Sequence, residues 1–406
     1  MGTVTSTGRS LPLRRLAEAT RTDVLFLAAY ILIKPVYLWS SGLPQISDLV
    51  LLLYLPFVVM RILPGFKYFQ PLLYFVFWSM AVNALWFGYS YDDTFILPVF
   101  YIAYNAIVFL FFYFVASQGP AERRVLSVAL AVSLVLQLGY AIAVGGDSRQ
   151  SGSFNDPNQL CYWVALTCGM FLICRDACRR LGLLDVAILL ASIFLGVLSV
   201  SRSGLASILL VTAPVLFCWA SRNKLVAMML LVVLIGLTAL FMNDLTAMLA
   251  KMSSLDLIRS RTDAMRQGVG ATEWEVRGYA RMVEYWHYML IGAGEGGYRR
   301  FTIADIALEV HSTLGGVLFN FGIVGLSLVL YFLGRIYAGA ETRYRAMLLA
   351  PIIYGFFQNG FRFSFFWGFL AVLAASGSKG MARSPVFRTR ARPGLQVPMS
   401  TGRTSP

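Results

Sequence analysis

Two histidines occur in the chain, His287 and His311. Near neutral pH, histidine is the side chain best suited to take a proton from a hydroxyl. His311 lies in Val310-His311-Ser312-Thr313-Leu314, where a polar stretch enters an apolar run, and Phe321-Gly322-Ile323-Val324-Gly325-Leu326 follows. A lone histidine is more often structural than catalytic, so position alone makes His311 a candidate base and no more. Arginines supply the complementary chemistry. Their planar fork binds phosphate oxygens in pairs and never loses its charge. Arg149 leads the segment Arg149-Gln-Ser-Gly-Ser-Phe-Asn155-Asp156-Pro157-Asn158, and Arg202 sits in the tight reversal Ser201-Arg202-Ser203-Gly204. A third group, Arg277-Gly-Tyr-Ala-Arg281, has helical spacing that puts both cations on one face. It precedes the glycine run Gly292-Ala-Gly294-Glu295-Gly296-Gly297. Asn155, Asp156, Asn158 and Ser203 are the polar side chains that the first two loops offer a substrate. Simple capping also explains Asn155, Asp156 and Pro157: the residue before a proline avoids helical geometry, and proline suits the first helical position. The glycine run is at best a weak phosphate loop, because it follows a helix and lacks the Lys-Ser/Thr ending. It reads as a turn.

The elements that must position these groups are membrane helices. Of 406 residues, 58% are hydrophobic and 13% charged, with mean hydropathy +0.68. A soluble domain carries roughly 25% charged residues. Apolar runs long enough, or nearly so, to span ~30 Å of hydrocarbon recur along the chain. In lipid every backbone group must be paired internally, so such runs mean helices, whereas a barrel would show short alternating segments. About twelve spans are expected, near 24–41, 46–60, 68–88, 95–116, 125–145, 159–174, 183–200, 204–220, 225–242, 312–333, 346–359 and 363–377. The expected organisation is a tail at 1–23, a first bundle at 24–242, a long outer loop at 243–311, further membrane helices at 312–377 and a basic disordered tail at 378–406. The basic start reads into a retained first span rather than a cleaved leader.

Basic residues set the orientation. With the N-terminus inside, the inside segments hold 22 Lys and Arg and the short outside loops only Arg149, Arg202 and Arg362. Eight more lie in the long outer segment, which crosses regardless of charge. Both termini are therefore expected in the cytoplasm. The net charge of +14 is spread over loops rather than gathered on one domain, which argues against nucleic acid as a partner. Arg362 carries no motif and reads as a cation that snorkels or pairs with a nearby acid. Cys161, Cys168, Cys174, Cys178 and Cys218 lie in or beside apolar spans, and no histidine completes a metal set with them. No metal or other cofactor is expected.

In order, these motifs are an Arg before a Gly-x-Phe-x-Asp-Pro-Asn loop, a Ser-Arg-Ser turn, outer-loop arginines ahead of Gly-x-Gly, and His-Ser-x-Leu before Gly-Ile-Val-Gly-Leu. Together they resemble the O-antigen ligase and O-antigen polymerase superfamily, over residues 149–326. The resemblance implies an all-α, GT-C-like, multi-pass fold in the bacterial inner membrane with one long periplasmic loop. It implies a metal-independent inverting glycosyltransferase taking a glycan from undecaprenyl diphosphate. His311 would be the catalytic base, and Arg149, Arg202, Arg277 and Arg281 would hold the diphosphate. The helix before Gly292 is shorter than the family's, which leaves open whether Arg277 or Arg281 takes that place. A polymerase extending a lipid-linked glycan is the favoured expectation, with a flippase and a chain-length regulator as companions. The alternatives are a ligase that transfers the glycan to lipid A-core, and a glycolipid transporter. A transporter would show broken helices and charges deep in the membrane.

Overall fold

A computed structural model describes residues 18–39, 44–145, 150–222, 278–297, 300–301 and 309–377. Among these the regular structure is entirely helical. The first bundle contains α1 (Arg21–Ile33), α2 (Ile46–Ile62), α3 (Gln70–Ser90), α4 (Ile96–Gln118), α5 (Pro120–Val144), α6 (Pro157–Arg175), α7 (Leu183–Ser199) and α8 (Arg202–Ala220). Two short helices follow, α9 (Tyr279–Glu284) and α10 (Tyr288–Ile291). The chain then runs through α11 (Thr313–Gly339), a 3-10 segment (Thr342–Leu348), α12 (Leu349–Phe357) and α13 (Ser364–Ser376).

Among the described residues, seven helical stretches are long and apolar enough to cross a membrane: Ile46–Lys67, Gln70–Ser90, Asp93–Gln118, Pro120–Val144, Pro157–Arg175, Arg202–Ala220 and Thr313–Gly339. This is the architecture of a multi-pass helical membrane protein. Helix also occupies the shorter runs, and the expected span at 225–242 lies outside the described residues. The run at 24–41 is helical only to Ile33. The reason is Pro35, which has no N–H to give Ile31. The Ser133 hydroxyl donates to the Ile31 carbonyl instead, at 3.2 Å. The run at 346–359 changes from 3-10 to α-helix just before Pro351.

The centre is built from α4, α6 and α13, and every residue of α13 is buried. Trp163 of α6 and Trp367 of α13 are among the largest enclosed side chains. Outer helices turn large apolar side chains outward, such as Leu53, Phe57 and Met60 of α2 and Phe217 of α8. Faces of that kind suit acyl chains rather than water.

One helix is broken. Within α11, Gly322 takes φ 68° and ψ −174°. The break is sealed from outside α11. Ala293 N–H donates to the Phe319 carbonyl and Gly294 N–H to the Asn320 carbonyl, both at 2.9 Å. The Trp78 indole donates to the Phe321 carbonyl at 2.7 Å. Gly292, at φ 113°, lies so close to the Asn320 and Phe321 backbone that a Cβ would collide with it. The glycine run is thus an irregular seam laid across the break.

Candidate functional site

Alternating helix directions put the starts of α6, α8, α11 and α13 at the same end of the bundle as α9, α10 and the glycine run. The starts of α6, α8 and α11 are each made by a local side-chain cap. Asp156 accepts from Asn158 N–H at 2.7 Å, with Pro157 in the first helical position. Ser201 accepts from Gly204 N–H at 3.3 Å, which places Arg202 at the first position of α8. Ser312 accepts from Gly315 N–H at 3.2 Å, so His311 immediately precedes the cap of α11. The turn before Arg202 is tense, because Val200 holds φ 51°. A β-branched side chain rarely adopts that conformation.

α12 and the loop after it join α6, α8, α9 and α11. Ser207 of α8 donates to the Ala350 carbonyl at 3.1 Å. The Tyr354 hydroxyl donates to the Asn158 carbonyl at 3.2 Å, and its ring stacks on Tyr162 at 3.8 Å. The Tyr279 hydroxyl donates to the Phe356 carbonyl. The Thr313 hydroxyl donates to the Gln358 carbonyl at 3.1 Å and accepts from Gly360 N–H at 3.0 Å. Asn158, Arg202, Arg281 and His311 therefore belong to segments that converge on 350–362.

Individually, the expected site residues fare as follows. His311 is half-buried beside the α11 cap. Arg202 is exposed and makes no ion pair among the described residues. Arg281 lies in α9 and is only 3% exposed. Its guanidinium stands 5.7 Å from the Phe301 ring centre, and its Nε has no hydrogen bond. Burial lowers its pKa, while the nearby Glu309 carboxylate opposes the shift. Asn155 donates to the Trp39 carbonyl at 3.1 Å, and the backbone carbonyl of Ser203 accepts from the Ser207 hydroxyl at 2.9 Å. Asp156 is engaged as a cap, as the simpler sequence reading has it. Arg149 and Arg277 lie outside the described residues.

Other charged groups at this end escaped the sequence reading. Arg362 Nε donates to Glu295 Oε1 at 2.6 Å, and its NH1 stands 2.7 Å from Glu309 Oε2. Burial works against the Arg362 charge, but Glu295, Tyr101 and Glu309 outweigh it and raise the pKa well above the ordinary guanidinium range. The pairing alternative offered for Arg362 from sequence is thus the one observed. Glu295 was legible as the sole acid of a glycine run, and Glu309 as an acid two residues before His311. Arg281, Glu295, Glu309, Asn320, Asn359 and Arg362 line a small polar cavity of about 20 Å³, enough for a water molecule. Arg300 is caged by Trp86, Phe95 and Phe301 at 4.6, 4.8 and 4.8 Å, and its Nε donates to the Gly297 carbonyl at 3.1 Å. It holds the glycine run in place. A last pair, Lys34 with Asp48, is completely enclosed, with Nζ 2.7 and 2.8 Å from the two carboxylate oxygens.

Among the described residues, no group of three His, Cys, Asp or Glu is arranged to hold a metal ion, and none of the five cysteines forms a disulfide. No protein-family model matches the chain, and no curated protein matches it either.

Proposed function

We propose that the chain is a membrane glycosyltransferase of the bacterial inner membrane. It takes a glycan from an undecaprenyl-diphosphate donor at the periplasmic face and transfers it to an acceptor sugar hydroxyl, as an O-antigen or exopolysaccharide polymerase. The observation that carries this reading is the convergence of His311 and Arg202 on one end of the bundle, each at the start of a helix braced by α12. His311 would accept the hydroxyl proton as the acceptor oxygen attacks the anomeric carbon. The anomeric C–O bond to the diphosphate breaks on the opposite face, inverting the centre, and its electron pair leaves with the phosphate oxygen. Fixed cations are what such a departing charge requires. Arg202 is the described arginine best placed to supply one; Arg149 and Arg277, outside the described residues, are the further candidates from sequence. Arg281 is buried and would act from beneath the site.

The same groups would serve a ligase, and the acceptor decides between the two. In reconstituted vesicles, a polymerase extends a second lipid-linked repeat, whereas a ligase requires lipid A-core. One observation favours a transporter, namely the break at Gly322. Yet the carbonyls freed at Phe319, Asn320 and Phe321 are taken by Ala293, Gly294 and Trp78, which leaves none of the three free to bind cargo. The deciding experiment is transfer per mole of folded protein by His311→Ala and His287→Ala. The first should fall ~10²–10⁴-fold while donor binding persists, as expected for loss of a general base. His287 is exposed, with its ring tilted against Tyr288 at 4.4 Å, so its replacement should change little. Wild-type turnover by His311→Ala would remove the base and with it the mechanism.

A further inference from the structure

Arg362 joins two chain segments, one carrying Glu295 and the other Glu309. Glu295 is 4% exposed. Its backbone N–H donates to Asn83 Oδ1 of α3 at 3.0 Å, and Asn83 Nδ2 reaches the Glu295 carbonyl at 3.3 Å. The glycine run carrying it is further fixed to α11 by the seam. Glu295 is therefore an anchored carboxylate. Glu309 is 34% exposed and stands two residues before His311. Arg362 is itself braced. Asn105 of α4 donates to its carbonyl at 3.3 Å, and its guanidinium stands 5.3 Å from the Tyr101 ring centre. Different nitrogens face the two acids, one a hydrogen bond to Glu295 and the other an ion pair with Glu309, so both contacts are held at once, which a single ammonium would not reproduce.

We infer that Arg362 is a positioning residue for His311, locking Glu309, and with it the chain entering α11, onto the anchored Glu295. The inference rests on the glycosyl-transfer reading for what the positioning serves, but the clamp itself is a matter of geometry. His311 is braced on its far side by the Ser312 cap and by the Thr313 bonds to Gln358 and Gly360. On its near side the Glu309 bond to Arg362 supplies the matching brace. Partly exposed ion pairs contribute little to global stability. What such a pair changes is where the segment sits, and a misplacement of about 1 Å near reacting groups can cost roughly 10²-fold in rate.

Two measurements test this in the full-length protein in lipid nanodiscs. The first is amide exchange over residues 309–313. Arg362→Gln should speed it by about tenfold or more, since local opening loses its charged brace. Unchanged exchange would overturn the clamp, whatever the protein's activity. The second is kinetics of glycan transfer. Arg362→Gln should lower kcat by roughly 10²-fold with donor KM nearly unchanged. Arg362→Lys should recover part of the loss. The double variant Arg362→Gln/Glu309→Gln should be no slower than Arg362→Gln, because both remove one contact. Normal kcat alongside faster exchange would show a clamp that positions nothing for chemistry, and would overturn the inference. If wild-type protein transfers no glycan, the functional reading fails, and the exchange result still decides the clamp.

Discussion

A cation in the first turn of a helix faces the positive end of the helix dipole, at a cost of about 0.3–1 kcal/mol. Arg202 occupies that place in α8, beyond a Val200 held at φ 51°, and no described acid offsets it. The same location suits an anion, which would meet the guanidinium and the uncapped amides of the first turn together. Arg202→Lys should keep the charge but lose the fork. Transfer should then fall by about tenfold or more, with the protein inserted normally. Full activity in Arg202→Ala at normal expression would rule out a diphosphate contact. At this scale the sequence was informative where a residue's partner is near in the chain. The caps at Asp156, Ser201 and Ser312 follow from short spacings. Arg362 was opaque because its partners lie 67 and 53 positions away, and nothing in a linear pattern marks such a pair.

Between elements, the buried contact with the largest stake is Lys34 to Asp48, joining the ends of α1 and α2. Asp48 also accepts from Gln45 N–H at 2.8 Å and from the Tyr104 hydroxyl at 2.7 Å. Removing one member of an enclosed pair strands the other, at about 3–5 kcal/mol. Both Lys34→Met and Asp48→Ala should therefore lower the unfolding temperature in detergent. Asp48→Ala should lower it more, since it also abandons two donors, whereas equal losses would show that the ion pair alone matters. Neither residue carries a sequence signal that marks it as half of a pair, because the two belong to different helices. The apolar runs themselves marked where helices lie. They did not show that α11 is interrupted, because a glycine such as Gly322 inside an apolar stretch is ordinary in membrane helices. Nor did helical spacing across 277–287 reveal that the chain turns between Glu284 and Tyr288, where α9 gives way to α10.

For the whole molecule, charge asymmetry predicts a definite sidedness. In intact spheroplasts, Asn155→Cys should react with an impermeant thiol reagent on a cysteine-free background, and Arg179→Cys should react only after lysis. The reverse pattern would invert the protein and place His311 on the cytoplasmic side, away from any periplasmic donor. The loop charges are what carry this expected orientation. The hub at 350–362 was not, because it is assembled from hydroxyls and carbonyls that carry no sequence signature. The seam between the glycine run and α11 has one more consequence, for biosynthesis. Residues 292–294 leave the ribosome before 319–321 do, so the patch for the interruption is made ahead of the interruption itself. When the first half of α11 enters the bilayer, its stranded carbonyls need not wait for a later part of the chain. Exchanging the order of these two segments in a permuted gene would expose those carbonyls to lipid during synthesis, a penalty the native order of translation avoids.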